Sequence, residues 1–491
     1  MKVTNRMLLV GPLLTASLVT LAPSATSATA RPAMRPPVVG MRNALVTVVP
    51  ARAYDFTNSF GINNDNACVG SDEDRAALAY YAPLRLRYVR TAVGDYAPCG
   101  KGATKTTADM VNEFSNLGIR ADALTASDIP PAAVTSFISL LTLPPVACEG
   151  PNEPDLNKQR YNPYPGAVLT YGQALRANTA CGNAIPFLGP SFTSGWYGTP
   201  GGPIPSLNPP YQYANLHYYG ARAPENTGYG GRIGPCGAYG AQATFVCAAK
   251  SLGPYSQFVT TETGYGSNYP NCKSSQTDVD ARTQSPYLQR DLLNLFALGS
   301  KQTYLFNFLD GWAWLGDPCG GPNVGFSDLG LLHHYKRSSP LGYSGVIAPK
   351  RSYTALAYMM NLLYDPRPPM GTSSYQISLT GTLPSTQTQF FQKGDGSTWM
   401  AIWDNSPLWD PVANVDIPTK SYSVTLATPT RHASQDYVQN PATGIFTSVA
   451  LGPPYAITVN GWPQLLEFTT GVPAPLPTGV PTPGPEETPV P

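Results

Sequence analysis

The feature of this chain that most restricts its fold is the alternation of short β-type runs with helical stretches between residues 59 and 365. The runs are apolar, and the segments between them have helical spacing or helix-start features. Alternation of this kind predicts parallel βα units. The eight predicted strands are Ser59–Asn63, Arg87–Arg90, Ile119–Ala123, Val146–Glu149, Pro186–Gly189, Tyr213–Tyr218, Gln257–Thr261 and Thr303–Phe308.

Five of the intervening segments predict helices. In Thr107–Leu117 the apolar residues Met110 and Phe114 lie at helical spacing. Asp72–Tyr81 has an acidic first turn, which suits the helix dipole. The other predicted helices are Pro163–Ala180, Gln284–Leu298 and Tyr353–Leu363. We therefore predict a (β/α)8 barrel over residues 53–366. An open doubly wound sheet is the alternative, but no G-x-G-x-x-G motif opens the first helix, which argues against it.

The pattern changes after Pro366, where short β-type runs follow one another without helical spacing. Runs of this kind, separated by Gly, Pro, Asn or Asp, predict an antiparallel β-sandwich over residues 367–471. In the N-terminal segment of residues 31–52, Ala44–Val49 is a candidate strand of the same sandwich. Residues 472–491 are rich in Pro and Thr, which predicts an extended, flexible tail.

The N-terminus has the features of an export signal over residues 1–30. Lys2 and Arg6 precede the apolar stretch Met7–Leu21, and Ala28-Thr29-Ala30 is typical of a cleavage site. A retained membrane anchor is the weaker interpretation, because Gly11 and Pro12 interrupt the stretch. No later stretch approaches 18 uninterrupted apolar residues. We therefore expect a secreted, extracellular protein.

The eight cysteines are consistent with an oxidising compartment. None lies in a C-x-x-C pair, and the chain has only four histidines, which argues against a structural zinc site. Their distribution over successive loops predicts four disulfides. The predicted pairs are Cys68–Cys99, Cys148–Cys181, Cys236–Cys247 and Cys272–Cys319.

Composition excludes two classes of partner. Charged residues make up only 12% of the chain and the net charge is +1, whereas a nucleic-acid interface needs a dense basic face. The same balance gives no electrostatic reason to bind an anionic membrane. The 29 tyrosines have two interpretations that stay open: they pack and order the loops, or they stack against sugar rings.

Two glutamates carry the functional hypothesis. Glu153 stands in Asn152-Glu153-Pro154 just past the fourth predicted strand, and Glu262 closes the seventh. Catalytic groups gather where the strands of a barrel end, at its carboxyl face. A pair of carboxyls there can break a glycosidic bond. Taken singly, the first motif could be a helix start with proline in its first turn, and the second a solvated strand end.

This arrangement resembles clan A of the retaining glycoside hydrolases, of the family 39, 30 and 5 type, over the barrel from about Phe60 to Leu363. The resemblance implies that Glu153 is the acid/base and Glu262 the nucleophile. It also implies that Asn152 binds the sugar 2-hydroxyl. The expected activity is that of a retaining O-glycosyl hydrolase acting on a poly- or oligosaccharide.

Other positions match the same pattern. Arg90 is expected beside Glu262. His217 and Tyr219 are expected to line the reacting subsite, with the Tyr219 phenol bonded to Glu262. Trp312 is expected to be a sugar platform. Alternatives stay open, because Arg90 could form a surface ion pair and His217 could be a core residue. Trp314 competes with Trp312 as the platform. The remaining candidates are Asp310, which orders a loop or contacts the sugar, and His333 and His334, which are expected in a loop.

We expect a monomer that needs no cofactor and no metal. The charge of Glu262 should raise the proton affinity of Glu153, since two nearby anions resist coexisting. One alternative function is a catalytically inactive secreted carbohydrate-binding protein, against which the intact Glu153 and Glu262 argue. The other is a cell-surface protein, for which the Pro/Thr tail is the only support.

Overall fold

The computed structural model describes the chain between residues 45 and 484, apart from several internal segments. The predicted export signal and residues 485–491 lie outside it. The described residues are 45–64, 78–94, 105–126, 129–154, 166–192, 211–220, 223–226, 233–234, 237–238, 242–251, 253, 255–267, 278–310, 328–337, 344–367, 371–381, 385–413, 415–428, 433–469 and 471–484.

Eight parallel strands form the barrel, so all eight predicted strands are confirmed. Around the sheet the order is five, four, three, two, one, eight, seven, six. A parallel bridge between Leu188 and Tyr213 joins the fifth strand to the chain entering the sixth and closes the ring. The strands are Phe60–Asn63, Tyr88–Ala92, Arg120–Leu124, Ala147–Glu149, Phe187–Leu188, Ala214–Tyr218, Phe258–Thr263 and Ser300–Leu305.

Seven α-helices, α1 to α7, are described. They are Ala53–Thr57, Thr107–Asn116, Pro131–Leu140, Gly166–Asn178, Gln242–Ser251, Ala281–Ala297 and Arg351–Leu363. A 3-10 turn spans Pro224–Asn226. Four of the predicted helices are present, whereas most of Asp72–Tyr81 lies outside the described residues. Within the described part of the chain, every helix is too short or too polar to span a lipid bilayer.

The barrel interior has an apolar level and a polar level. The apolar level consists of Ala147, Leu188, Val259 and Tyr304. Gly61 makes room for it, because a Cβ atom at this position would lie 2.5 Å from Cδ1 of Tyr304. The polar level lies nearer the carboxyl ends of the strands and consists of Asn63, Arg90, Asp122, Glu149, Asn215 and Thr261, all buried.

Two mostly antiparallel sheets form the sandwich, as the short β-type runs predicted. The four strands of the first sheet are, in order, Val46–Val48, Tyr375–Gly381, Tyr422–Ala427 and Tyr455–Val459. The six strands of the second, the barrel-facing sheet, are Ala51–Arg52, Thr386–Gln392, Thr398–Asp404, Gln464–Phe468, Ala433–Gln439 and Phe446–Ala450. Val46–Val48 pairs with the sandwich strand Tyr375–Gly381.

The barrel-facing sheet is buried on both sides, which explains why its central strand Thr398–Asp404 is buried throughout. Alternate side chains of a strand point to opposite faces. Trp399 and Trp403 belong to the core shared with the barrel helices, whereas Met400 and Ile402 belong to the core between the two sheets. The sandwich is thus packed against the barrel through two tryptophans.

Shorter strand pairs complete the described structure. They are Leu332–Arg337 with Ser344–Pro349, Trp409–Asp410 with Val415–Asp416, Gly266–Ser267 with Asp278–Val279, and Ile233–Gly234 with Gly237–Ala238. His333 and His334 lie in the first of these pairs rather than in a loop.

The Pro/Thr-rich tail is not free of the fold. Leu476 and Val480 pack against the main core. Thr354 Oγ1 donates a hydrogen bond to the Pro481 carbonyl at 2.9 Å, and the Gly484 amide donates to the Pro349 carbonyl at 2.9 Å. The expected flexibility is therefore wrong for the described part of the tail.

One predicted disulfide lies within the described residues and is present, between Cys148 and Cys181. It ties the fourth barrel strand to the segment that follows α4. Cys247 is also disulfide-bonded. Its predicted partner Cys236 lies outside the described residues, as do the cysteines of the other two predicted pairs.

Candidate active site

Glu262 is the second-last residue of the seventh strand, and three side chains from the second strand and the end of the sixth hold it. Arg90 Nη1 donates a hydrogen bond to its Oε1 at 2.5 Å, and the Tyr219 hydroxyl donates to its Oε2 at 2.8 Å. His217 Nδ1 lies 3.4 Å from Oε2. The Tyr219 contact and the Arg90 contact that the resemblance predicts are therefore both present. Arg90 is fully buried, which rules out a surface ion pair.

Glu153 follows the fourth strand in an unusual backbone conformation. Its φ is 42°, in the left-handed region that side-chain-bearing residues adopt only at a cost of about 1 kcal/mol or more. The Asn152 bridge to Ser191 and the bond from the Glu153 amide to the Ser191 carbonyl at 2.9 Å hold this conformation. Such strain often marks a functional position.

The two predicted carboxyls meet at His217. Its Nδ1 lies 2.9 Å from Glu153 Oε1. One oxygen of Glu153, one ring nitrogen of His217 and one oxygen of Glu262 all lie within 4.8 Å of one another. Glu153 and Glu262 therefore open onto one shared space, as the sequence hypothesis requires.

The protonation of His217 follows from its other contact. Thr261 Oγ1 has one proton and lies in donor geometry to Asn215 Oδ1 at 2.8 Å and to Glu149 Oε1 at 3.0 Å. It therefore accepts from His217 Nε2, 3.1 Å away, while Nδ1 faces two carboxylates. Burial lowers the pKa of His217, but the Glu262 charge and the bond to Glu153 more than compensate, and the pKa lies above its ordinary value.

The pKa of Glu153 is shifted in the direction opposite to the predicted one. Burial raises the pKa of Glu153, but the hydrogen bond from His217 and the charges of His217 and Arg90 outweigh it, so the pKa lies below its ordinary value. The prediction that the charge of Glu262 raises the proton affinity of Glu153 left out His217, whose hydrogen bond and charge lower the pKa of Glu153.

Asn152 is oriented by Arg90. Arg90 Nη2 donates to Asn152 Oδ1 at 2.7 Å, and Ser191 Oγ lies 3.5 Å from the same oxygen. Because its Oδ1 is engaged, Nδ2 is the amide atom that can donate to a ligand. Arg90 therefore links the Asn152 side chain to Glu262, which binds the same guanidinium.

Glu149 is a third carboxyl that the sequence interpretation missed. It is fully buried, and its Oε2 and Oε1 accept from Arg90 Nε at 2.5 Å and Nη2 at 2.9 Å. Asn215 Nδ2 donates to Oε1 at 2.9 Å. A glutamate that ends an apolar strand four residues before Glu153 was the available signal, since buried carboxylates need partners.

Asp122, also missed, lies in the same polar level of the barrel. Both of its carboxyl oxygens lack a hydrogen-bond partner among the described residues. Burial, with the nearby charge of Glu149, raises the pKa of Asp122 well above its ordinary value.

The other predicted residues are placed as follows. Trp312 and Trp314 lie outside the described residues. Asp310 Oδ1 accepts from Lys350 Nζ at 2.5 Å and from the Gly330 amide at 3.1 Å, and its Oδ2 lies 3.3 Å from His333 Nδ1. These contacts favour the loop-ordering interpretation of Asp310.

Within the described residues, Glu153, His217 and Glu262 are also the only group of three or more acidic, His or Cys side chains close enough to share a metal ion. Arg90 already places a positive charge 2.5 Å from Glu262, however. A second cation at the same carboxylate would meet that charge at close range. The donor set suits proton transfer better than metal binding.

The solved structures that this chain resembles include glycoside hydrolases. A family 39 glycoside hydrolase from the gut symbiont Bacteroides cellulosilyticus WH2 aligns over 86% of this chain and 83% of its own, with 15% identity and a TM-score of 0.53. A glucosidase from Croceicoccus marinus aligns over 87% of this chain and 99% of its own, with 11% identity and a TM-score of 0.54.

The fold is therefore that of the clan A glycoside hydrolases, which confirms the predicted structural resemblance. No family model matches the sequence, and a search of curated proteins finds no match. At 11–15% identity the likeness is one of architecture, so the chemistry has to be argued from the residues of this chain.

Proposed function

We propose that this chain is a secreted glycoside hydrolase that cleaves a poly- or oligosaccharide by a retaining double displacement. The observation that carries the proposal is that one oxygen of Glu153 and one oxygen of Glu262 lie within 4.8 Å of each other. Retaining enzymes hold their carboxyls about 5–5.5 Å apart, whereas inverting enzymes leave about 6.5–9.5 Å for a water molecule.

Glu262 is the nucleophile in this proposal. Arg90 and Tyr219 each donate to one of its oxygens, which stabilises the carboxylate that must attack the anomeric carbon. Burial, with the Glu262 charge, raises the pKa of Tyr219 well above its ordinary value, so the phenol keeps its proton and remains a donor. Attack forms a glycosyl ester on Glu262 and releases the leaving-group oxygen.

Glu153 supplies the proton for that oxygen. In the free protein the proton between Glu153 and His217 lies on the imidazole, as the directions of the two pKa shifts indicate. His217 Nδ1 passes it to Glu153 Oε1 across 2.9 Å, and Glu153 delivers it to the leaving group. In the second half, Glu153 removes a proton from the water that hydrolyses the ester.

The remaining assignments belong to the same proposal. Asn152 Nδ2 donates to the 2-hydroxyl of the reacting sugar, a contact that strengthens in the transition state. The proposed domain limits are residues 53–366 for the catalytic barrel and 367–471 for the sandwich. Export is supported by the charged and apolar N-terminus and by the disulfide-bonded Cys148, Cys181 and Cys247.

A panel of aryl glycosides and polysaccharides tests the proposal. The wild-type protein should hydrolyse at least one substrate class, and Glu262→Gln should not. Glu113→Gln, the same change on the outer helix α2, is the matched control and should keep full activity. Glycan binding without turnover in the wild type would instead identify an inactive carbohydrate-binding protein, and turnover by Glu262→Gln would remove Glu262 from its role.

A further inference from the structure

A buried ion pair of the barrel has its remaining hydrogen-bond partners in the sandwich. Arg290, on α6, donates from Nε to Glu225 Oε1 at 2.9 Å and from Nη2 to Oε2 at 2.5 Å. Glu225 lies in the 3-10 turn that follows the sixth strand. The side chain of Arg290 is fully buried and that of Glu225 is 9% exposed.

The sandwich supplies the rest of the partners. Trp403 Nε1 donates to Glu225 Oε1 at 2.7 Å. Arg290 also donates to the backbone carbonyls of Asn405 at 2.9 Å and Ser406 at 3.2 Å. Every nitrogen of the guanidinium is therefore bonded, and the pair is complete only with the sandwich in place.

Such a pair is poor at adding stability, because desolvating two charges offsets much of their attraction. Apolar side chains of similar volume would hold two domains together as well. The bidentate geometry fixes the position and orientation of both side chains. We therefore looked for a part of the site whose position depends on Glu225.

The segment that Glu225 anchors carries Tyr219. Tyr218, fully buried at the end of the sixth strand, donates from its hydroxyl to the Pro224 carbonyl at 2.8 Å, which ties the strand end to the 3-10 turn. Tyr219, the next residue, donates to Glu262. The path from the sandwich to the nucleophile thus runs through Trp403, Glu225, the strand end and Tyr219.

We propose that Trp403 and the Glu225–Arg290 pair are positioning residues for Tyr219, so that the sandwich is part of the catalytic unit. The inference rests on the proposed function. Loosening the anchor should weaken the bond from Tyr219 to Glu262, and since that bond favours the carboxylate, the acidic limb of the kcat/KM profile should move to higher pH.

The test uses four variants of the full-length protein. Trp403→Phe removes the donor to Glu225 but keeps most of the packing. Trp399→Phe is the matched control, because this tryptophan is equally buried on the same face of the same strand and donates to Ser397 Oγ instead. Tyr219→Phe removes the bond to Glu262, and the fourth variant combines Tyr219→Phe with Trp403→Phe.

We expect Trp403→Phe to lower kcat about tenfold at unchanged KM and to shift the acidic limb upward, comparable with the weakening of one charge-assisted hydrogen bond. Trp399→Phe should do neither. In the Tyr219→Phe background the Trp403 change should add nothing. An equal loss with and without Tyr219, or equal behaviour of the two tryptophan variants, would overturn the inference.

Hydrogen exchange of the amides of residues 214–220 gives a readout that needs no turnover. Exchange should be faster in Trp403→Phe and unchanged in Trp399→Phe. If the wild type hydrolyses no glycoside while exchange responds in this way, the proposed function fails and the mechanical link stands. If hydrolysis is present and exchange does not respond, the inference fails alone.

Discussion

The two levels of the barrel interior differ in what holds them together. The apolar level, which includes Leu188, Val259 and Tyr304, contains no charged side chain. The polar level, nearer the carboxyl face, buries Arg90 with Glu149, and Arg90 also binds Glu262. On the fourth and seventh strands the two levels lie two residues apart, so the same ring of strands carries an apolar packing region and the candidate site.

A single cation serves two carboxyls at the polar level. Arg90 binds both Glu149 and Glu262, and Asn215 and Thr261 add neutral contacts to Glu149. Burial raises the pKa of Asp122, whose two carboxyl oxygens have no hydrogen-bond partner among the described residues.

The largest expected effect is a loss of kcat that occurs on substitution at the candidate site and not in the apolar level. Glu262→Gln should lower kcat at least about a thousandfold, because the amide is not a nucleophile. Leu188→Ala, one level below, should leave kcat within a few-fold of the wild type. The measurement is kcat on an activated aryl glycoside. A comparable loss in both variants would contradict the division into two levels.

The second effect depends on the substrate. Glu153→Ala should lower the rate about 10²–10⁴-fold on substrates with poor leaving groups, since these need a proton in the transition state. Substrates with good leaving groups should keep their rate of glycosyl-enzyme formation. A leaving-group series followed in the pre-steady state measures this. Uniform losses across the series would exclude Glu153 as the acid.

The third effect compares stability. Removing the charge of Glu149 with Glu149→Gln leaves Arg90 short of a partner and should cost about 3–5 kcal/mol in the free energy of unfolding. Leu188→Ala should cost about 2–5 kcal/mol through the cavity it creates. Denaturant unfolding of both variants gives these values. Only Glu149→Gln should also alter the pH profile of kcat/KM, and an unaltered profile would disconnect Glu149 from the site.

The smallest effect extends the comparison to a carboxyl outside the barrel. On α6, Asp291 Oδ2 accepts from Thr263 Oγ1 at 2.5 Å and Oδ1 accepts from Gln242, with no cation among these partners. Burial raises the pKa of Asp291 to about 7. Because the folded pKa is raised, the stability from this group is fully present below about pH 4 and is lost as pH rises through about 7.

Each tenfold change in proton affinity corresponds to about 1.4 kcal/mol, so ionisation of Asp291 costs the folded state up to about 4 kcal/mol. Asp291→Asn mimics the neutral acid, and Gln242 Oε1, which lacks a partner, can accept from the new amide after a flip. The variant should therefore lose less stability than the wild type between about pH 4 and pH 7, the window between the unfolded and folded pKa values of the acid. Parallel pH profiles of the unfolding free energy would contradict this.

Much of the fold could be predicted because the barrel strands are continuous apolar runs. Helices α3 and α5 were missed for local reasons. Pro131–Leu140 buries only Val134 and Phe137, so its apolar face is short. Gln242–Ser251 is made largely of small residues with weak amphipathicity. The strand Ala433–Gln439 is polar for most of its length, which hid it from a search for apolar alternation.

At the site, Glu153, Glu262, Arg90, His217 and Tyr219 could be placed because each ends or follows a barrel strand. Glu149 could have been found by asking what neutralises a carboxyl in a buried strand. The Glu225–Trp403 contact could not, since 178 residues separate the two side chains and neither stands in a recognisable motif. Contacts between domains depend on packing that no local pattern encodes.

The central claim is that Glu153 and Glu262 act across one sugar ring as a retaining pair. Proton NMR of the first product formed from a glycoside of defined anomeric configuration tests it most directly. The new hemiacetal should initially have the anomeric configuration of the substrate and mutarotate afterwards. Initial appearance of the opposite anomer would contradict it, because a carboxyl pair this close leaves no room for direct attack by water.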